Sequence, residues 1–239
     1  LENSQIGWRK NFTIDNTAPT TPSGLTIKDY NGTVLGCEGY TNNRKITVDW
    51  DDNTETDFDH YIYGIKDNEL FKTLTKSFYT GDIRNEDGYY KYITRAVDIA
   101  GNIGQPSEWC GVTLDRVSPT GSIDGLVYSS GNITNFITND NTPKLYGTYN
   151  DNNGVSNVKI ELGGQNYTTQ LTGGIWTSPE FIVLPDGKHT ATLTITDIAR
   201  NTTTADHDIL IHTSTPSATD APFHNPIETD LPIACGKGM

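Results

Sequence analysis

A chain of 239 residues exceeds one average domain and suffices for two, each large enough to bury a core of its own. Its formal charge of −13, with 30 acidic residues against 17 scattered basic ones, opposes nucleic-acid binding, because a phosphate backbone needs clustered Lys and Arg. With 23 Gly, 11 Pro and 12 Tyr but 1 Met, the composition is poor material for helices, and no run of twenty apolar residues is present to cross a membrane.

The chain opens on a polar segment without a basic stretch followed by an apolar one, so any secretory leader has been removed or the chain is an internal piece. "FTIDNTAPT" at 12–20 returns as "VTLDRVSPT" at 112–120, which sets Asp15 and Asp115 100 residues apart. A worn third copy, "ILIHTSTPS" at 209–217, has His212 in place of the acid. Self-similarity at this period cuts the chain into modules. Residues 1–16 read as the last strand of a truncated preceding unit, 17–115 and 116–215 as two complete units, and 216–239 as a Pro-rich linker or tail. Proline at each junction fixes φ and removes a donor, so the joints are short and stiff.

In the first unit, "KITVDW" alternates Ile46, Val48 and Trp50 with Thr47 and Asp49, the period-two pattern of a half-buried strand. "HYIYGIK" does the same with Tyr61, Tyr63 and Ile65. "YYKYITRAVD" turns Tyr90, Tyr92, Thr94 and Ala96 inward and ends at the turn pair Gly101-Asn102. Several short strands divided by polar turns predict a sandwich. The acids of residues 49–59 lack the glycine and terminal glutamate of an EF-hand loop and read as a solvated turn, with weak calcium binding by carboxylates on a flexible loop as the lesser alternative. Of the three cysteines, Cys37 and Cys110 stand near the two ends of this unit, where the first and last strands of a sandwich approach. They form either a disulfide or two separate thiols, and Cys235 is left over.

The second unit has its clearest strand in "HTATLTITD", with Ala191, Leu193 and Ile195 facing inward and threonines outward. The segment before it, "LPDGKH", is a turn, and Gly173-Gly174 marks a tight hairpin.

Taken in order, "APTTPSGLTI", "ITVDWDDNTETDFDHYIYGI" and "GYYKYITRAVDIAGN" resemble a fibronectin type III domain of the bacterial extracellular kind. That resemblance implies a core role for Trp50 and a tyrosine-corner role for Tyr90. "TNDNTPKLYGT", "VSNVKIEL", "YTTQLTGGIWT" and "LPDGKHTATLTITDIARN" are similar to a bacterial Ig-like domain of surface adhesins. Two departures bear on its geometry: His189 stands where the family has Tyr, and Arg200 stands where it has Gly. Together the resemblances imply an all-β fold of two tandem immunoglobulin-like and fibronectin III-like sandwiches.

Related adhesin repeats hold calcium between domains, and Asp15, Asp98 with Asn102, Asp115, and Asp197 with Asn201 recur at equivalent junction positions. They are the calcium candidates, although an acid at a strand end also serves Asx-type hydrogen bonds. No other cofactor is expected. His60, His189, His207, His212 and His224 are scattered outside any catalytic motif, so no enzyme is expected. The sequons at Asn11, Asn31, Asn132, Asn166 and Asn201 are by-products of an Asn/Thr-rich composition. Tyr40, Tyr79, Tyr149 and Trp176 are the aromatics that could stack on sugar, with Trp176 better suited to the core. The expected role is a non-catalytic, extracellular structural or adhesive stalk segment, monomeric within a longer surface protein that meets a cell-surface protein or carbohydrate. The alternative is an accessory, carbohydrate-binding module of a secreted polysaccharide-processing enzyme.

Overall fold

The computed structural model describes residues 13–65, 72–128 and 131–214. All regular structure among them is β, in four sheets. The strand proposed for 1–16 falls mostly outside the described residues, and residues 13–16 lie in no strand. The tail at 216–239, with Cys235, lies wholly outside them.

Eight strands come first: β1 (Thr26–Asp29), β2 (Gly39–Thr41), β3 (Lys45–Asp49), β4 (Phe58–Ile65), β5 (Lys72–Leu74), β6 (Phe78–Asp82), β7 (Gly88–Asp98) and β8 (Cys110–Leu114). A three-stranded sheet β1-β3-β6 faces a five-stranded sheet β2-β8-β7-β4-β5. The alternation seen in the sequence sets the inner faces: Ile46, Val48 and Trp50 from one sheet meet Tyr61, Tyr63, Tyr92 and Ala96 from the other, all buried. Trp50 stacks on Tyr63 at 6.1 Å and meets Tyr61 edge-on at 5.3 Å, arrangements that aromatic quadrupoles favour. Tyr90 donates its hydroxyl to the Glu86 carbonyl four residues upstream, fastening the corner ahead of β7.

Ten strands follow: β9 (Thr120–Tyr128), β10 (Gly131–Ile133), β11 (Ile137–Thr138), β12 (Leu145–Asn150), β13 (Val155–Leu162), β14 (Gln165–Thr168), β15 (Gln170–Thr172), β16 (Ile175–Thr177), β17 (Gly187–Asp197) and β18 (Thr202–Ile211). They form the sheets β10-β9-β12-β16-β15 and β11-β18-β17-β13-β14. Here the core is mainly aliphatic, with Ile160, Leu193, Ile195 and Ile209 in one buried cluster with Trp176 and Phe181. Among the described residues, no buried side chain belongs to both cores. The β15–β16 hairpin turns through Gly173 and Gly174 at φ 56° and 85°, two positive values in succession that residues with a Cβ resist. His189 does the work of the missing tyrosine: its Nε2 lies 2.8 Å from the Pro185 carbonyl, again four residues upstream.

Each unit also closes alike. A short parallel pair, β2 with β8 and β11 with β18, brings an early strand beside the last one. Just beyond, the Asp115 amide donates to the Thr41 carbonyl at 2.9 Å and the His212 amide to the Thr138 carbonyl at 2.8 Å. An upstream acid then holds the departing chain. Asp87 accepts the Arg116 amide at 3.0 Å and its Nε at 2.7 Å, while Asp186 accepts the Thr213 amide at 3.0 Å and its hydroxyl at 2.6 Å.

The hydrogen bond from the Arg116 guanidinium, opposed by burial and aided by the Arg116 amide, holds the Asp87 carboxyl below the usual range. A depressed carboxylate contributes stability that is present above its unfolded pKa and lost as pH falls through the folded value. Because both side chains are partly exposed, Asp87→Asn is expected to cost about 0.2–1 kcal/mol at pH 7. The deficit should shrink as pH falls through the lowered folded pKa of Asp87, as the wild-type acid takes up its proton. Denaturant melts of both proteins across that range check it, and a constant difference sinks the assignment.

Candidate metal centres at the unit entrances

The turn after β7 and the turn after β17 share one hydrogen-bond pattern. Asn102 donates its amide to Asp98 Oδ1 at 2.8 Å and its Nδ2 to Asp98 Oδ2 at 2.8 Å. Asn201 does the same to Asp197, also at 2.8 Å in both bonds. The same Nδ2 reaches the incoming chain, at the carbonyls of Asp15 (3.0 Å) and Thr17 (3.3 Å) in one unit and of Asp115 (2.9 Å) and Val117 (3.2 Å) in the other. Asp15 and Asp115 each cap their own turn by accepting the amide two residues on.

This knot draws acids together. Asp15 and Asp98 are joined by Asp57, and Asp115 and Asp197 by Asp151, so that in each trio one carboxylate oxygen per residue lies within 4.8 Å of the others. Asp98, Asp115 and Asp197 are buried. None of the six is in an ion pair with a described residue. Burial alone pushes the Asp98 carboxyl up, but the Asn102 side chain and amide, with the amides of Gly101 and Ala100, hold it below the usual range, so it stays ionised. Three neighbouring carboxylates repel one another unless a cation lies between them.

The donor set fits calcium. It consists of hard oxygens with no His or Cys, and a carboxylate oxygen that accepts one N–H retains a second lone pair for a metal. Asp15, Asp57 and Asp98 would hold one ion, and Asp115, Asp151 and Asp197 the other. Asp151 is itself set by its loop, its Oδ1 accepting the amides of Asn153 and Gly154 at 2.9 Å each. The same loop sends Asn153 Nδ2 to Asp115 Oδ2 at 2.9 Å. Of these six acids the sequence pointed to four. Asp57 lay within a loop read as solvated, and Asp151 was not among the candidates.

The remaining candidates stay apart. Cys37 and Cys110 are bonded, with Cα atoms 4.7 Å apart. The described histidines share no site: His60 pairs with Asp59 at 2.7 Å, His189 holds its corner, and His207 meets the Phe136 ring at a tilt, with centroids 3.6 Å apart. Trp176 is fully buried, Tyr79 stacks on Tyr63 at 4.7 Å, Tyr149 packs against the second core, and Tyr40 lines a cleft between the units. They form no common sugar platform.

The described residues thus form two β-sandwiches in series, each entered through an acid-lined knot. Residues 125–213 match the family model of the bacterial Ig-like domain, so the second unit carries that domain. The first has the two-sheet layout that its resemblance to fibronectin type III implies. No curated protein matches the chain. Among solved structures it is similar to the fibronectin(III)-like modules of Clostridium thermocellum CbhA, at 16% identity and TM-score 0.48, over 79% of this chain and 94% of that one. A tetra-tandem repeat from the extending region of a large adhesion protein is matched at 17% identity and TM-score 0.35, over 82% of this chain and 50% of that one. Chitinase ChiA74 of Bacillus thuringiensis is matched at 15% and 0.35, over 84% of this chain and 28% of that one. Bacterial Ig-like domains are usually extracellular, and no helix among the described residues is long and apolar enough to cross a membrane.

Proposed function

We propose that this chain is a non-catalytic stalk segment of an extracellular bacterial surface protein, a spacer that carries load or presents a neighbouring domain. One observation carries the reading: the linker after β8 is fastened to both units. Arg116 is held by Asp87 and by the Asn85 carbonyl of the first unit, while Asn201 and Thr203 of the second take the carbonyls of Asp115, Val117 and Pro119. A segment so tied resists bending, unlike a Gly/Ser tether. The disulfide supports placement in an oxidising compartment, where such bonds persist. Antibody raised to this segment should label intact cells of the source organism. Labelling only after lysis would falsify the surface assignment. Backbone relaxation of residues 115–119 should match that of the strands, and nanosecond mobility there would remove the stiffness on which the reading depends.

Calcium at the two trios would neutralise the carboxylates and brace each entrance. Sites of this kind bind at about 10⁻⁴–10⁻³ M, so ion at about ten times the dissociation constant adds roughly 1.4 kcal/mol to the folded state. That corresponds to a rise in Tm of about 5–10 °C for a unit of this size. Asp57→Asn should abolish the rise in the first unit alone, and Asp151→Asn in the second alone. Equal melting in calcium and in chelator, at matched ionic strength, removes the metal from the account.

A further inference from the structure

The turns at 98–102 and 197–201 have the same hydrogen bonds, yet they differ at one residue. Both place their fourth position in the left-handed region, where the first unit has Gly101 at φ 90° and the second has Arg200 at φ 75°. Glycine adopts that conformation without steric penalty, whereas a Cβ there crowds the following carbonyl. An arginine held in a strained conformation asks for a compensating contact.

That contact lies in the other unit. Arg200 Nη1 is 3.0 Å from Asp29 Oδ2, across 171 residues of sequence. Asp29 ends β1 and is 4% exposed, with its Oδ1 accepting the amides of Asn31 at 2.9 Å and Thr33 at 2.8 Å. Burial pushes its carboxyl up, but those amides and the Arg200 guanidinium together hold it below the usual range. Beside the pair, Asp29, Tyr40 and Thr41 of the first unit and Ala199 of the second line a cleft of about 210 Å³. Ala199 is buried at 1% exposure, while its counterpart Ala100 is exposed among the described residues. The second unit's turn is therefore seated on the first unit's end.

We propose that Arg200 and Asp29 form a lock that fixes the orientation of the second sandwich on the first, with the buried carboxylate as receptor and the left-handed arginine as arm. The strain in the turn is retained because the arm must leave the backbone at that point to cross the joint. The lock belongs to this pair of units: Gly101 leaves the first unit's own turn without an arm, so that turn cannot seat on a neighbour in the same way. The inference holds whatever ligand or parent protein the segment serves.

Residual dipolar couplings on the full chain give one alignment tensor per unit, and in the wild type the two agree. Arg200→Gly suits the backbone and removes only the arm. Asp29→Asn keeps the Oδ1 acceptor and removes the charge. Each is expected to shift the docked-to-open ratio about two- to five-fold toward open, seen as a smaller tensor for one unit. Arg200→Gly should also leave the second unit's Tm unchanged or raise it, since backbone strain is relieved. Equal tensors in both variants overturn the lock. Loosening by Arg200→Gly alone, in folded Asp29→Asn protein, overturns Asp29 as the receptor and the proposal with it. Should Asp29→Asn fail to fold, the Arg200→Gly tensors decide.

Discussion

Replacing Cys37 and Cys110 by alanine is expected to lower the melting temperature of the first unit by roughly 15–30 °C and leave the second unit's transition where it was. The bond closes a loop across a sequence separation of 73, and removing a constraint of that length from the unfolded chain costs about 4 kcal/mol. Its place in the fold makes the loss felt. Cys37 precedes β2, and β2 joins β8 through only three register pairs, Gly39 with Val112, Tyr40 with Thr113 and Thr41 with Leu114. A parallel pair that short gains little from its ladder, so the covalent link is the main restraint on the closing edge. The second unit makes the corresponding β11–β18 pair without a bridge and carries no cysteine among its described residues, so it serves as an internal control. Calorimetry of the oxidised protein, the reduced protein and the double variant should resolve two transitions of which one moves. If both move together, the two cores are not energetically separate.

The sandwiches were legible because a strand with one buried face writes its orientation in every second residue. Ile46, Val48 and Trp50, or Ala191, Leu193 and Ile195, can face only one way if the core is to be filled. Two of the three acids in each candidate metal centre were legible for another reason: Asp15 and Asp115 recur in the junction repeat, and Asp98 with Asn102 and Asp197 with Asn201 sit on turns of identical length, so the repeat survives in sequence. Asp57 and Asp151 were hidden because their loops differ. Asp57 immediately precedes β4, whereas Asp151 follows β12 directly and stands four residues before β13. Only the folded chain brings them to corresponding places. His189 and Arg200 looked like breaks in the family pattern. An imidazole nitrogen can make the same bond as a phenol, and a strained backbone can be retained when its side chain finds a partner. Substitutions that change residue type while preserving a hydrogen bond or a φ value are invisible to pattern matching.

The second large effect concerns Trp176. Trp176→Ala is expected to destabilise the second unit by about 3–5 kcal/mol and leave the first unit's transition unchanged. The indole is fully buried, its Nε1 donates to the Ser122 carbonyl at 3.0 Å, and it pairs across β12 and β16 with Gly147. A Cβ built on Gly147 would lie 2.8 Å from the ring and closer still to the Ser122 carbonyl, so the glycine is required by the closeness of ring and backbone, not by its φ. Truncation therefore opens a cavity in a mainly aliphatic core and removes the donor to the Ser122 carbonyl, two costs with no means of collapse between sheets already paired on both sides. Trp176→Phe should recover part of the loss by filling volume without restoring the hydrogen bond, whereas Gly147→Ala should approach the alanine variant in severity because backbone cannot yield to it. These outcomes also bear on sugar binding. A ring with no exposed face cannot stack on a saccharide, so Trp176→Phe should leave any glycan retention of the intact chain unchanged, and a loss of retention in that folded variant would require the indole to be reachable from solvent.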